Sequence, residues 1–289
     1  MTFKNQIYNE NCLDTMAKMP DETIDLTVTS PPYDDMRDYT GYSFEFEKIA
    51  KELFRVTKQG GVVVWVVADK TVDGSETGSS LRQALYFLQE CKFNLHDTMI
   101  FEKNTSAFPA TFDDVRYTQT WEYMFILSKG KPKTINLIQD KENKWAGEAT
   151  WGDANKRKVD GKYRESNLTD KPVNRFGIRN NIWRYVVSGG FGQSDDLAYQ
   201  HPATFPEKLA EDHILSWSNV GDLVFDPMAG SGTTLLAAKE HNRYFVGSEI
   251  SEKYFKLIKK RFKHHHDTLH RIWFDVKDKI EHKDVEFFG

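Results

Sequence analysis

The sequence is short of cysteine and of long apolar runs. Only Cys12 and Cys91 occur among 289 residues, and neither has the spacing of a zinc ligand, so neither a disulfide framework nor a zinc site is expected. The longest strongly apolar run, 62–68, is far too short to span a bilayer, and residues 1–5 lack the apolar core of a signal peptide. These absences predict a cytoplasmic protein with no membrane partner.

The chain also lacks a large excess of charge of either sign. It has 39 Lys and Arg against 43 Asp and Glu, a formal charge of −4, which on its own is weak evidence against a nucleic-acid partner. The charge is unevenly distributed, because residues 129–184 contain 14 Lys and Arg against 7 Asp and Glu, a local charge of +7. The acidic total therefore conceals a basic segment, and a polyanionic partner stays open.

Changes in polarity and hydrophobic periodicity divide the chain into three parts, 1–128, 129–200 and 201–289. The first and last alternate between β-branched apolar segments and amphipathic ones, whereas the middle part is polar and lacks that periodicity. The predicted strands are 24–29, 62–68, 97–102, 121–128, 222–226 and 244–248. The predicted helices are 44–57, closed by two glycines, 81–91, 203–219, 233–241 and 251–266. Strands alternating with helices predict an α/β fold with a parallel sheet.

A glycine turn follows the strand at 222–226, in the segment Asp226-Pro-Met-Ala-Gly230-Ser-Gly232-Thr-Thr234. The glycines allow close approach of a ligand to the backbone, and the N–H groups that open the next helix face the same point. Glu249 lies 17 residues beyond Gly232, near the spacing at which an acid binds ribose hydroxyls. The pattern favours an adenosine-containing cofactor over an ordinary turn between a strand and a helix, and over a phosphate loop, which would need a Lys after the glycines.

A second turn, Ser30-Pro-Pro-Tyr33, directly follows the strand at 24–29. Two prolines end the strand and leave the carbonyl groups of Ser30 and Pro31 without helical partners. Rigid acceptors beside an aromatic ring can hold a planar amine, with the base stacked on Tyr33. Taken alone, a Pro-Pro pair is more often only a turn, so the prediction depends on the other motifs.

Together these motifs resemble those of the β-class amino-group DNA methyltransferases, which use S-adenosylmethionine. Residues 29–33 resemble the catalytic motif of that family, 226–234 its cofactor motif, Glu249 its ribose-binding acid, and 201–207 the motif that precedes its cofactor-side helix. The resemblance implies a Rossmann-like fold, circularly permuted so that the catalytic motif comes first, with a target-recognition region inserted at 129–200. It also implies that the strands ending at Thr29 and Asp226 lie side by side.

The resemblance assigns roles to individual residues. Catalysis falls to Ser30, Pro31, Pro32 and Tyr33. The cofactor contacts are Asp226, Pro227, Gly230, Gly232, Thr233, Thr234, Glu249, Asn11, Cys12, Thr204 and Phe205, where Asn11 replaces the Asp that the family often has before its Cys-Leu pair. The DNA contacts are Arg37, Lys156, Arg157, Lys158, Arg175 and Arg179. No metal is expected, because the consecutive histidines 264–266 point in different directions on a helix.

The implied reaction is methylation of an exocyclic amino group on a base flipped out of double-stranded DNA. Ser at position 30 favours cytosine N4, with adenine N6 as the alternative. Two further alternatives are a non-catalytic DNA-binding module and amino-group methylation of RNA or protein. The resemblance raises the expectations of a homodimer and of a cognate restriction endonuclease.

Overall fold

The computed structural model describes residues 2–32, 44–104, 116–150, 159–162, 169–187, 195–204 and 206–265. The chain divides into two compact units. The first combines the chain up to Ile135 with the chain from Ile182 onward, and the second is Asn136–Asn181. The second unit lies within the predicted 129–200 insert and is shorter than it at both ends.

Strands and helices alternate along the first unit, and β8 to β11 belong to the second. The strands are β1 (Gln6–Tyr8), β2 (Ile24–Thr29), β3 (Thr57–Val67), β4 (Thr71–Val72), β5 (Ser75–Glu76), β6 (Asn94–Lys103), β7 (Trp121–Ser128), β8 (Lys141–Glu142), β9 (Ala149–Thr150), β10 (Thr169–Pro172), β11 (Phe176–Gly177), β12 (Ile182–Tyr185), β13 (Leu223–Asp226) and β14 (Tyr244–Ser248). The helices are α1 (Cys12–Ala17), α2 (Phe46–Val56), α3 (Ser79–Gln89), α4 (Glu207–Trp217), α5 (Thr233–Glu240) and α6 (252–265).

Eight of the described strands form one sheet, in the order β1-β14-β13-β2-β3-β7-β6-β12. β7 is antiparallel to both of its neighbours, β3 and β6, and the other pairs are parallel. The α/β prediction is confirmed, but the sheet is mixed rather than parallel throughout. Strands that follow each other and pair directly are most simply antiparallel, since a parallel pair needs a crossover connection.

The middle of the sheet is buried, which fixes the strands that carry the site. All six residues of β2 are buried, and α2 contributes Ile49, Ala50, Leu53 and Val56 to the same core. Trp65 of β3 meets Phe87 of α3 edge to face at 5.1 Å between ring centroids. Because each large apolar side chain stabilises the fold by about 1.5–3 kcal/mol when buried, the carboxyl ends of β2 and β3 are held on a rigid support.

The sequence predicts the bounds of β2, β7 and β14 correctly but not those of β3. β3 begins at Thr57, immediately after α2, whereas the two glycines were expected to close the helix. Thr57 already has extended backbone angles, and its hydroxyl donates to the Leu53 carbonyl at 2.6 Å, so α2 ends here and not at the glycines. Gly60 instead lies within the strand, where its N–H donates to the Lys129 carbonyl at 2.7 Å.

One strand of the sheet comes from the part of the chain predicted to be an insert. β12 pairs with β6 in parallel, with Ile182 opposite Ile100. The Tyr185 side chain is buried, and its hydroxyl donates to Asp212 Oδ2 at 2.8 Å. Four residues that alternate in burial inside a basic stretch give too short a signal for a strand, which explains why sequence analysis missed it.

In the part of the chain that the structure describes, no helix is both long and apolar enough to cross a membrane. Cys12 and Cys91 are free and buried.

Candidate active site

The two motifs that the sequence singled out meet at one edge of the sheet. β2 and β13 are parallel neighbours, with Thr27 opposite Phe225, so the strand ends at Thr29 and Asp226 lie side by side as predicted. The Thr29 hydroxyl donates to Asp226 Oδ1 at 2.8 Å, and both side chains are buried. Beyond the glycine turn, the Thr234 hydroxyl donates to the Val28 carbonyl at 3.2 Å. These contacts fix the two turns relative to each other.

The glycine turn after β13 requires glycine at two positions. Gly230 and Gly232 have φ values of 53° and 81°, in the left-handed region that other residues avoid. A Cβ at Gly232 would also lie 2.8 Å from Ile258 Cγ2, and one at Gly230 would lie 3.1 Å from His201 Nε2. The turn is therefore packed from outside, and α5 begins directly after it at Thr233.

Glu249 lies immediately after β14 and faces the glycine turn. Its Oε2 accepts the N–H of Gly230 and its Oε1 accepts the N–H of Ser251, each at 2.8 Å. The Asn9 side chain donates to the Glu249 carbonyl at 2.8 Å, which holds the backbone of the same residue. The acid that was predicted from its spacing is thus aimed at the turn, and its role toward a ribose stays a prediction.

Both carboxyl groups of the site have raised pKa values. Burial raises the pKa of Asp226 to about 6, although hydrogen bonds from Thr29, Met228 and Thr234 oppose the shift. Burial also raises the pKa of Glu249 to about 7, and the nearby negative charge of Asp226 adds to the effect. Two buried carboxyls whose ionised forms are disfavoured make a site that a cation would stabilise.

The residues assigned at the N-terminal side have structural partners. Asn11 is the N-cap of α1, and its Oδ1 accepts the N–H of Leu13 at 2.9 Å. Burial raises the pKa of the Cys12 thiol to about 12, so this side chain is an inert apolar surface at neutral pH. Contact of either residue with a cofactor stays a prediction.

The catalytic turn is described only in part. Ser30 and Pro32 are partly exposed after the buried end of β2, and Pro31 is buried. Tyr33 and Arg37 lie outside the described residues. On the cofactor side, Thr204 is partly buried, Phe205 lies outside the described residues, and Pro227 follows Asp226 directly in the glycine turn.

Sequence analysis missed one buried side chain beside the glycine turn, that of Arg261 on α6. It is 0% exposed, and its Nη1 donates to the Ser231 carbonyl at 2.7 Å. The aromatic residues of this helix, Tyr254, Phe255 and Phe262, are only partly buried, whereas the buried positions are Leu257, Ile258 and Arg261. Arg261 lies three positions after Ile258 and four after Leu257, and a cation on an apolar face was the signal available in the sequence.

The predicted DNA contacts that the structure describes lie in the second unit and have acidic neighbours. Arg179 Nε donates to Asp140 Oδ1 and Oδ2 at 3.0 and 2.9 Å. Arg175 Nε lies 3.7 Å from Glu142 Oε1, and the Arg175 guanidinium stacks over Phe176. The two side chains differ in exposure, 21% for Arg179 against 74% for Arg175. Lys156, Arg157 and Lys158 lie outside the described residues.

Part of the basic character of the predicted insert belongs to the first unit. Asn136–Asn181 has 10 Lys and Arg against 7 Asp and Glu, a charge of +3. Three of the other basic residues form ion pairs in the first unit, Lys129 with Glu22, Lys133 with Asp25 and Arg184 with Glu102. The charge of +7 therefore overstates what the second unit itself offers a polyanion.

Over the described ranges, no group of three or more His, Cys, Asp or Glu side chains is arranged to hold a metal ion. Of the three consecutive histidines, His265 has its Nδ1 3.2 Å from Glu240 Oε1, and His266 lies outside the described residues.

Comparison with known proteins agrees with this geometry. A family model for DNA methylases of the N6/N4 type matches residues 24–260. The orphan methyltransferase M.BamHII of Bacillus amyloliquefaciens is 58% identical over 248 residues, which cover 85% of this chain and 91% of the relative.

Solved structures show the same fold. The cytosine-N4-specific PvuII DNA methyltransferase aligns with a TM-score of 0.67 and 20% identity, over 91% of this chain and 87% of its own. The complex of M1.HpyAVI with S-adenosylmethionine aligns with a TM-score of 0.57 and 22% identity, over 89% of this chain and 98% of its own.

The chain therefore belongs to the N6/N4 family of DNA methylases. It is a site-specific DNA methyltransferase that modifies an exocyclic amino group, and its family takes the methyl group from S-adenosylmethionine.

Proposed function

We propose that the protein transfers a methyl group from S-adenosylmethionine to N4 of a cytosine within a specific sequence of double-stranded DNA. The hydrogen bond of 2.8 Å between Thr29 and Asp226 carries the proposal, because it joins the catalytic turn to the cofactor turn. Ser30 favours cytosine in the family motif, and the cytosine-N4-specific PvuII enzyme has the same fold.

The residues around the glycine turn fit a cationic adenosine cofactor. Asp226 is buried, and its hydrogen-bond donors are the neutral hydroxyls of Thr29 and Thr234 and the Met228 N–H, so a bound cation would stabilise its ionised form. We assign it to the amino or sulfonium group of S-adenosylmethionine. Each carboxylate oxygen of Glu249 accepts one backbone N–H and has a further lone pair, which can accept a hydrogen bond from a ribose hydroxyl. The other contacts are assigned to Pro227, Gly230, Gly232, Thr233, Thr234, Asn11, Cys12, Thr204 and Phe205.

The catalytic turn acts by orientation. When bound, S-adenosylmethionine supplies an electrophilic methyl group. The lone pair of an aromatic amine is delocalised, so the Ser30 hydroxyl and the Pro31 carbonyl, with Pro32 fixing the turn, accept the two N–H groups and direct the lone pair out of the ring plane. Tyr33 stacks on the flipped base. The nitrogen that gains the methyl group then releases one proton to water, because Ser30 is too weak a base to take it.

DNA recognition is assigned to the insert at 129–200, between catalytic and cofactor parts at 1–128 and 201–289 in the permuted order. The second unit displays Trp145, 64% exposed, on a turn that is closed by the hydrogen bond from Glu148 N–H to the Trp145 carbonyl at 3.1 Å. Lys144 lies over the ring of Trp145, 5.6 Å from its centroid. An aromatic ring beside cations suits contact with bases and phosphates.

Of the two expected protein partners, we propose only the homodimer. A homodimer is proposed from the resemblance alone, and light scattering of the purified protein tests it. The relative that is 58% identical is named an orphan methyltransferase, which favours action without a dedicated restriction endonuclease.

Adenine N6 is the alternative target, because the matching family model covers methylases of both bases. Mass spectrometry of nucleosides separates the two after DNA of mixed sequence has reacted with the protein and deuterated S-adenosylmethionine. We expect labelled N4-methyldeoxycytidine. Labelled N6-methyldeoxyadenosine would instead identify adenine as the target base. If neither forms while the cofactor binds, a DNA-binding role without catalysis, or an RNA or protein substrate, takes precedence.

The Ser30→Ala variant tests the catalytic turn in the same assay. We expect turnover to fall by about 100-fold or more, with unchanged affinity for the cofactor, because the variant loses the acceptor for the amine N–H but keeps the residues of the glycine turn. Ser75→Ala, on exposed β5, is the matched control and should keep full activity. Equal loss of cofactor affinity and turnover in Ser30→Ala would contradict the assigned role.

A further inference from the structure

Arg261 is a fully buried cation that joins three parts of the chain. Its Nη1 donates to the Ser231 carbonyl at 2.7 Å and to the Thr233 hydroxyl at 3.2 Å. Its Nε donates to Asp195 Oδ2 at 2.9 Å, and its Nη2 donates to Glu207 Oε1 at 3.0 Å. The side chain thus extends from α6 to the glycine turn, to the start of α4 and to the segment before it.

Burial of a guanidinium group is costly unless its charge and its N–H groups are matched. Removing a buried ion from water costs several kcal/mol, which well-placed opposite charges can offset. Asp195 and Glu207 supply two such charges, with exposed side-chain fractions of 12% and 26%. The guanidinium group spreads five N–H donors over a planar fork and can reach these acids and a carbonyl group at the same time, whereas an ammonium group is a compact charge with three donors.

The contact with Ser231 acts on the most permissive part of the cofactor turn. Ser231 lies between Gly230 and Gly232, which have φ values of 53° and 81°. Glycine can adopt many other φ values at little cost, so these two residues do not by themselves hold the turn in one conformation. The Ser231 carbonyl and the Gly232 N–H belong to the same peptide plane. When Arg261 holds the carbonyl, the N–H is directed to the other side, where it donates to the Ala229 carbonyl at 2.6 Å.

We propose that Arg261 is a positioning residue for S-adenosylmethionine, which sets the orientation of the Ser231–Gly232 peptide without touching the cofactor. The inference rests on the proposed cofactor site. A turn that is already in the binding conformation costs less to order when the ligand arrives. Loss of this contact therefore lowers affinity for the cofactor more than it lowers the rate of methyl transfer once the cofactor is bound.

Arg243 provides a matched control, because it is also a buried arginine that holds backbone carbonyls. Its Nη2 donates to the Ser218 carbonyl and its Nη1 to the His241 carbonyl, each at 2.7 Å. It lies just before the amino end of β14, whereas the glycine turn faces the carboxyl end of the same strand. Loss of Arg243 should therefore destabilise the fold without acting on the turn.

The experiment compares Arg261→Lys and Arg261→Met with Arg243→Lys in the full chain. We expect the dissociation constant for S-adenosylmethionine, from calorimetry, and its KM to rise about tenfold in Arg261→Lys, with kcat at saturating cofactor within about threefold of the wild type. Arg243→Lys should lower Tm but leave the dissociation constant unchanged. In Arg261→Ala, guanidinium chloride at tens of millimolar should restore part of the affinity, and potassium chloride should not.

Wild-type affinity in Arg261→Lys, together with a loss of Tm like that of Arg243→Lys, would overturn the inference and leave Arg261 a purely structural residue. Equal losses of affinity in the two Lys variants would do the same. If Arg261→Met does not fold, the Lys variant and the rescue still decide the question. Unchanged affinity in Asp226→Ala would instead count against the proposed cofactor site itself, whatever the Arg261 variants do.

Discussion

At the scale of single residues, the site is defined by two buried carboxyl groups on adjacent strand ends. Asp226 ends β13 and Glu249 follows β14, and those strands pair in parallel with Asp226 opposite Gly247. Their donors are hydroxyls and backbone amides, which stabilise the ionised form less than a full positive charge would. The pKa values of about 6 and about 7 follow from that balance.

Affinity for the cofactor should therefore depend on pH close to neutrality. The ionised carboxylates bind the ligand, Asp226 through the ligand's positive charge and Glu249 as an acceptor for ribose hydroxyls. Binding is therefore at full strength above the raised pKa values, about 6 for Asp226 and about 7 for Glu249, and weakens as pH falls below them. Each linked proton changes the dissociation constant by about tenfold per pH unit below its pKa. Calorimetry in two buffers of different ionisation enthalpy, between pH 5.5 and 8, should record release of protons on binding.

The variant Asp226→Asn identifies the group responsible. It should bind more weakly at pH 8 and show a flatter pH profile, since one titrating carboxyl is gone. Asp73→Asn, at an exposed turn position, should keep the wild-type profile. A wild-type affinity that stays constant from pH 5.5 to 8 would contradict binding of the ligand's positive charge by ionised Asp226.

At the scale of elements, sequence analysis succeeded where a pattern was local. The bounds of β2, β7 and β14 follow from β-branched or aromatic apolar runs with clear ends, and the turn at Gly230 and Gly232 follows from residue types that permit positive φ. β12 and Arg261 were missed because each depends on a partner far away in sequence, β6 for the strand and Asp195 for the cation. The direction of β7 has the same origin, since pairing and not composition decides it.

The glycine turn allows strain and steric fit to be separated. Gly232→Ala adds a methyl group 2.8 Å from Ile258 Cγ2 at a φ of 81°, whereas Gly221→Ala adds one at a φ of 85° with no atom within 4 Å. Positive φ alone costs about 1 kcal/mol, and overpacking adds about 1–3 kcal/mol.

Urea denaturation should therefore show a larger loss of unfolding free energy for Gly232→Ala than for Gly221→Ala. Because the added methyl group displaces the turn, only Gly232→Ala should also weaken binding of S-adenosylmethionine. Equal losses of stability in the two variants would mean that Ile258 moves aside freely and that the turn is not packed from outside.

At the scale of the whole molecule, the charge of −4 is divided between an acidic first unit and a second unit of +3. Within the second unit, burial and pairing separate two arginines that the sequence treats alike. Arg179 is 21% exposed and held by both oxygens of Asp140, whereas Arg175 is 74% exposed and only loosely paired with Glu142. A cation held in a structural ion pair and an exposed, loosely paired cation should respond differently to removal.

Binding of duplex DNA at several salt concentrations, followed by fluorescence anisotropy, distinguishes the two roles. Affinity should fall steeply with salt, because each phosphate contact releases condensed counterions. Arg175→Ala should weaken binding similarly for all sequences and reduce the slope of log affinity against log salt by about 1. Arg179→Ala should lower the thermal stability of the protein, since it removes the contact of Arg179 with both oxygens of Asp140, and should change the salt slope less. If affinity does not change with salt, or if Arg175→Ala leaves it unaltered, the second unit does not hold the phosphate backbone through this face, and the cations at 156–158 become the next candidates.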